Sequence, residues 1–361
     1  MSDSERLTQH VINPGFPVRP RRIAGIVLTV IFGPGIGHLF LGKWKRAFLW
    51  FGLVLVPLLL APFTMWPLAG WFVLGRIGAA VDVGLVAAQP AQIPRLRVAL
   101  LVWLGLSVIG TCLGTMGRMY CLEAFKIPAT SGAPTLLIGD HIMVRKYEKE
   151  PVRGDVVVFV HPCQTDRDFV KRVVALEGDS VEIRCTRVYV NGKVVDRKPI
   201  SGDCRYQDRD FAGHGEEPPV WREQECSRYE ETVDGKSYEL FQLPDTEKRI
   251  QDANATKDPG NVFREDFPGE EAPDCRHHGS ASEVIGTIES SGDGTGCGLR
   301  RRYIVPAGHF FVLGDNRPNS NDSRYWGSVP LQNIKGKAAY IFWASQGDKG
   351  SRWQRIGKGL R

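Results

Sequence analysis

KIPATSGAPTLLIGDHIMVRK, residues 126–146, divides the chain: a strongly apolar first third precedes it and the polar remainder follows. Ser131 sits within it in a turn-forming context, between Thr130 and Gly132 and close to Pro134. From Ile127 onward the hydrophobic pattern switches to period two. His141–Arg145, Asp155–Val160, Phe169–Leu176 and Ser180–Ile183 read as strands. Asn191-Gly192 between β-formers is a strong hairpin signal. Strand patterns resume at Arg302–Pro306, Phe310–Leu313 and Ala338–Trp343. The expected fold class is mainly β: an antiparallel sheet or partly open barrel, preceded by an α-helical transmembrane anchor. Residues at about 197–300 are polar and rich in Gly, Pro, Asp and Glu, and they read as a large inserted subdomain of strands and loops.

Working back towards the N-terminus, four apolar segments appear: Ile23–Leu41, Ala47–Trp66, Leu68–Ala88 and Val98–Tyr120. Each is near the roughly 20 residues that span a bilayer, although Gly33-Pro34-Gly35 breaks the first. None reads as a cleavable signal peptide, because there are several and the polar domain follows the last. The expected division is a polar basic N-terminus (1–22), a membrane anchor region (23–122), an external domain (123–357) and a short tail (358–361). Basic clusters at Arg19–Arg22, Lys43–Arg46 and Arg95–Arg97 favour the cytoplasmic side. Three full spans and one re-entrant or interfacial segment satisfy that rule and leave the polar domain outside. Arg76 and Asp82 in the third segment are costly in lipid and are expected to meet other helices or water.

Composition excludes several functions. The net charge of +6 comes from dispersed basic residues, so no nucleic-acid surface is expected. There is no C-x-x-C and no His-rich cluster, so neither a metal site nor a cofactor is expected. Of eight cysteines, Cys112 and Cys121 lie in or beside the last apolar segment. Cys163, Cys185, Cys204, Cys226, Cys275 and Cys297 lie in the polar part, in successive pairs separated by 22 residues. Outside the cytoplasm they allow up to three disulfides in about fifteen pairings, and at least one bridge is expected.

The histidines of the polar part (His141, His161, His214, His277, His278, His309) carry no signature of a His-dependent hydrolase or a zinc peptidase. A lysine made neutral by burial can activate a serine instead. Lys171 suits this chemistry, since it lies between Phe169-Val170 and Val173–Leu176, while Arg172 would face the other side of the strand.

Together, the ordered blocks resemble the type I signal peptidases of bacteria, membrane-bound Ser-Lys endopeptidases. Ile127–Leu136 is similar to that family's nucleophile box. Arg153-Gly-Asp-Val-Val-Val-Phe and Phe169–Asp179 resemble its general-base region. Gly314–Gly327 (GDNRPNSNDSRYWG) resembles its most specific box, and Arg355-Ile-Gly357 fits its ending. The resemblance implies Ser131 as nucleophile and Lys171 as general base. It further implies that Ser320 orients the lysine amine, that Asp322 and Arg324 brace the loop as an ion pair, and that Asp315 helps to hold it. The Ser131 backbone N–H would be one oxyanion donor.

Two positions depart from the family pattern. Ala129 stands where a small hydroxyl residue usually lends an oxyanion donor, and Gly132 where Met is usual. Thr130, next in sequence, is a candidate substitute donor. Ile127, Pro128, Ala129 and Gly132 are expected beside the substrate, with Phe125 and Ile127 near the bilayer. The resemblance implies as partners signal-peptide-bearing preproteins with small residues at −1 and −3, the lipid bilayer and a nearby secretion translocon. The implied location is the bacterial inner membrane, multi-pass, with the catalytic domain outside. Three rival readings remain: a silent homologue that binds signal peptides or partners, a soluble self-cleaving Ser-Lys peptidase, and a transporter.

Overall fold

The computed structural model describes residues 18–60, 68–87, parts of 97–120, 121–210, 220–256, parts of 263–300, 301–345 and 350–360. The chain divides into two units, Met1–Tyr120 and Cys121–Arg361.

The first unit contains helices α1 (Val18–Phe32), α2 (Ile36–Phe40), α3 (Trp44–Leu60) and α4 (Leu68–Val86). Gly33 and Gly35, both at positive φ, turn the chain between α1 and α2. Asp82 of α4 meets other helices. It accepts from Trp50 Nε1 at 2.8 Å and Arg46 Nη1 at 2.5 Å, and lies 2.9 Å from His38 Nε2. Among the described residues no helix is long and apolar enough to cross a membrane, so the expected multi-span anchor is not found there. The first expected segment is divided into helices of 15 and 5 residues, α3 has 17 residues, and α4 has 19 and includes Arg76 and Asp82. Residues 1–17, 61–67, 88–96 and much of the fourth expected segment lie outside the described residues.

The second unit is built from strands. In chain order they are β1 (Leu122–Lys126), β2 (Asp140–Arg145), β3 (Val156–Val160), β4 (Asp168–Leu176), β5 (Ser180–Arg184), β6 (Arg187–Val190), β7 (Lys193–Val194) and β8 (Asp196–Ile200). Then follow β9 (Arg205–Asp210), β10 (Val220–Glu225), β11 (Ser227–Val233), β12 (Lys236–Gln242), β13 (Thr287–Ser290), β14 (Arg301–Ile304), β15 (His309–Leu313), β16 (Val329–Pro330) and β17 (Ile334–Ala344). The main sheet has the order β1-β2-β17-β3-β4-β15-β16 and its pairings are antiparallel. Its two faces alternate by residue. Val156 and Val158 join a core with Ile127, Leu136, Ile142 and Ile341. Val157 and Phe159 join Val173, Phe310, Val312 and Trp326. A second sheet, β13-β14-β5-β6-β7, includes the expected hairpin, with Asn191 and Gly192 both at positive φ.

The inserted stretch supplies β8 paired with the β11–β12 hairpin, the β9–β10 hairpin and a helix at Thr246–Thr256. Three disulfides form: Cys163–Cys275, Cys185–Cys297 and Cys204–Cys226. The 22-residue spacing therefore marks a bridge only for Cys204–Cys226. The other two join residues 112 apart and tie the far end of the insertion back to the strands before it. Long closed loops of this kind restrict the unfolded chain most.

Candidate active site

Ser131 lies in the turn between β1 and β2. Ala133 N–H closes this turn on Thr130 O at 2.9 Å, and Leu136 N–H on Gly132 O at 2.8 Å. Lys171 projects from β4, and its Nζ donates to Ser131 Oγ at 2.6 Å. Lys171 shares its sheet face with Val157, Phe169 and Val173, since positions two apart on a strand face the same way. It is consequently 5% exposed. Burial pushes its pKa down to about 8; Asp322 and Asp315 pull it up and Arg324 pulls it down. Near neutral pH a useful fraction of the amine is therefore free to accept a proton.

Arg172 takes the opposite face, but that face is not solvent. The guanidinium is buried, with Nε and Nη2 on the two oxygens of Asp315 at 2.8 and 2.7 Å. Its Nη1 donates to Gly154 O at 2.7 Å, and its plane lies over the Tyr238 ring, 3.8 Å from the centroid. Asp315 thus fastens the third block directly to the strand that carries Lys171. Arg324 Nε and Nη2 chelate Asp322 at 2.8 and 2.9 Å, and Asp322 Oδ2 also accepts Gly314 N–H at 3.0 Å. Burial alone would raise the Asp322 carboxyl; Arg324 overrides this and holds it below the usual carboxylate range. Gly314 is pressed against Ser320 and Ser131: a methyl there would come within 2.5 Å of Ser320 Cβ and 2.6 Å of Ser131 O.

Several expected site residues stand differently from their assigned places. Ser320 is buried beside Gly314, yet its Oγ has no hydrogen-bond partner, so no bond to the Lys171 amine is made. Thr130 Oγ1 donates to Asp208 Oδ1 at 2.7 Å and accepts from Asn319 Nδ2 at 3.2 Å. Its single proton is thereby directed to Asp208. Ile127 belongs to the core, with its N–H donating to Asp140 O and its C=O accepting Gly139 N–H. Pro128 and Ala129 are exposed, and Gly132 is half-buried. His161 is buried against Phe169 and Trp326, while His214, His277 and His278 lie outside the described residues.

Sequence reasoning missed Asp208, which lies in a stretch without pattern. It assigned no role to Asn316 or Asn319, although both stand in the quoted third block. It also missed that Arg355 chelates buried Asp140 and donates to Thr135 O at 2.7 Å, pinning the end of the nucleophile turn.

A serine hydroxyl in contact with a buried, low-pKa amine has the geometry that nucleophilic catalysis requires. The sequence matches the family model for signal peptidase, peptidase S26, over residues 100–343. The chain belongs to the signal peptidase family and is a peptidase of the signal peptidase I type. It is 32% identical to signal peptidase I of Aquifex aeolicus over 235 residues, covering 63% of this chain and 78% of that one. With signal peptidase I of Pseudomonas aeruginosa it shares 30% over 257 residues, 64% of this chain and 68% of that one. A crystal structure of signal peptidase I from Enterococcus faecalis aligns with 23% identity and a TM-score of 0.22, over 53% of this chain and 97% of that one.

Proposed function

We propose that this peptidase removes N-terminal signal peptides from exported preproteins, cleaving after small residues at A-x-A sites with Ser131 as nucleophile and Lys171 as general base. The observation that carries this reading is the 2.6 Å contact between Lys171 Nζ and Ser131 Oγ, made by an amine whose pKa burial has lowered to about 8. Lys171 takes the Ser131 proton as Oγ attacks the scissile carbonyl, and the negative charge moves to the carbonyl oxygen. The Ser131 N–H stabilises that oxyanion. Collapse breaks the C–N bond, and Lys171 gives its proton to the leaving amine, the new N-terminus of the mature protein. The signal peptide remains as an ester on Ser131. Lys171 then deprotonates the water that hydrolyses it. In this sequence of steps the Ser320 hydroxyl, buried and unsatisfied beside Ser131, receives and orients the lysine amine once the serine proton has moved. Asp315, Asp322 and Arg324 keep this loop in place. With Ala129 lacking a hydroxyl and Thr130 committed to Asp208, the oxyanion receives no side-chain donor from either.

Pro128, Ala129 and Gly132 border the nucleophile and line the path of an extended substrate, which would pair through its main chain. The apolar residues exposed on the first unit, among them Ile31, Leu49, Leu74, Ile77 and Leu85, support association with the bacterial inner membrane. A multi-pass anchor, an external catalytic domain and proximity to the translocon are part of the same reading.

Purified protein incubated with a preprotein carrying an A-x-A site should yield one new N-terminus, directly after the second small residue, by mass spectrometry. Uncut precursor that stays bound to well-folded protein would instead identify a silent, signal-peptide-binding homologue.

A further inference from the structure

The inserted stretch reaches the nucleophile. Strands β9 and β10 pair in register from Arg205↔Glu225 to Asp210↔Val220, and Cys204–Cys226 closes the base of this hairpin. The disulfide packs with Ala133, two residues beyond Ser131, and with Phe241. Tyr206 stacks on Phe241 with ring centroids 5.3 Å apart, and Phe241 N–H donates to Asp315 O at 2.9 Å. The hairpin is therefore held against both the nucleophile turn and the third block. Two residues beyond Tyr206, on the same face of β9, stands Asp208. Its Oδ1 accepts from Thr130 Oγ1 at 2.7 Å and its Oδ2 from Asn319 Nδ2 at 2.5 Å. Asn319 Nδ2 also reaches Thr130 Oγ1 at 3.2 Å, so the three side chains close a triangle.

Thr130 immediately precedes Ser131, and Asn319 immediately precedes Ser320. We propose that Asp208 is a positioning residue for the peptidase reaction. One carboxylate from the insertion clamps the residue before the nucleophile to the residue before Ser320, and so sets the placement of both hydroxyls around Lys171. The inference rests on the reading of Ser131 and Lys171 given above. It makes the insertion part of the active site. Asn316 strengthens the same junction, its N–H donating to Ser131 O at 3.1 Å and its Nδ2 to Thr130 O at 3.3 Å. Hydrogen bonds that share a carboxylate in this way act as a unit, and a double-mutant cycle measures that coupling.

The test compares wild type, Asp208→Ala, Thr130→Val, the double variant and Thr130→Ser in preprotein cleavage, melting temperature and backbone hydrogen exchange. Asp208→Ala and Thr130→Val should each lower kcat by on the order of tenfold to a hundredfold, with KM changed by less than about twofold. The double variant should lose no more than the worse single one, and Thr130→Ser, which keeps the hydroxyl, should restore most of the rate. In Asp208→Ala, exchange should quicken at Ala133 and Asn316 while β3 and β4 keep their protection. Wild-type kcat and unchanged exchange in Asp208→Ala would overturn the clamp. So would losses that multiply in the double variant. A wild type that cuts nothing while exchange still rises in Asp208→Ala would sink the peptidase reading and leave the clamp standing.

Discussion

Lys171→Met is expected to reduce kcat for preprotein cleavage by on the order of 10⁴ or more while raising the melting temperature. Both effects have one cause. The amine is held next to Phe169 and Val157, and that burial lowers its pKa from 10.5 to about 8. The unfolded chain keeps its proton up to about pH 10.5, whereas the folded protein releases it near 8, so below 8 the full cost of burying the cation opposes folding. Between pH 8 and 10.5 the unfolded state binds more protons, and wild-type stability should rise with pH across that window. Methionine has a similar length and no charge, so it removes the cost. Near neutral pH the gain should reach about 1–3 kcal/mol. Wild-type kcat/KM should increase through about pH 8 as the free amine forms and then level off. A Lys171→Met variant that is less stable than wild type at pH 7, or a cleavage rate that falls as pH rises through 8, would contradict this account of the lysine.

The largest loss of stability should come from Asp315→Ala. Asp315 is the bidentate partner of Arg172, and both side chains are buried, at 5% and 1% exposed. Removing the carboxylate takes the ionic partner from a buried guanidinium that cannot lose its proton, while its donations to Gly154 O at 2.7 Å and Thr135 Oγ1 at 3.3 Å and its place over the Tyr238 ring remain. Stranding a buried charge in this way costs about 3–5 kcal/mol. Chemical denaturation of the variant should show a drop of that size, and kcat should fall with it, because the third block would lose its tie to β4. A drop under about 1 kcal/mol would mean that the pair does not hold the block. Exchanging Arg172 and Asp315 together for apolar residues should recover much of the stability, though not the rate.

Much of the second unit was legible because its signals are local. Period-two runs located β2, β3, β4 and β17, and Asn191-Gly192 located its hairpin, as each depends on neighbours a few residues apart. Ser131 and Lys171 were legible as an ordered pair of motifs. What no local pattern carries is the partner of a buried charge. Arg172 reads only as a residue on the other face of β4, and its partners there, Asp315 and the Tyr238 ring, come from distant parts of the chain. The commitment of Thr130 to Asp208 depends on a hairpin 78 residues away. Cysteine spacing left the pairing open for the same reason: Cys163 and Cys185 lie 22 residues apart, yet each bonds to a residue 112 positions on. In the first unit, the Gly33-Pro34-Gly35 break read from the sequence is the place where α1 ends and α2 begins.

The central claim is that Ser131 and Lys171 act as one catalytic unit, and a double-mutant cycle on preprotein cleavage tests it most directly. Ser131→Ala, Lys171→Met and the double variant should share the same residual kcat within about threefold, because removing either member of a dyad disables the other. Two partial losses that multiply in the double variant, or wild-type turnover in either single one, would show that the 2.6 Å contact is not the catalytic pair.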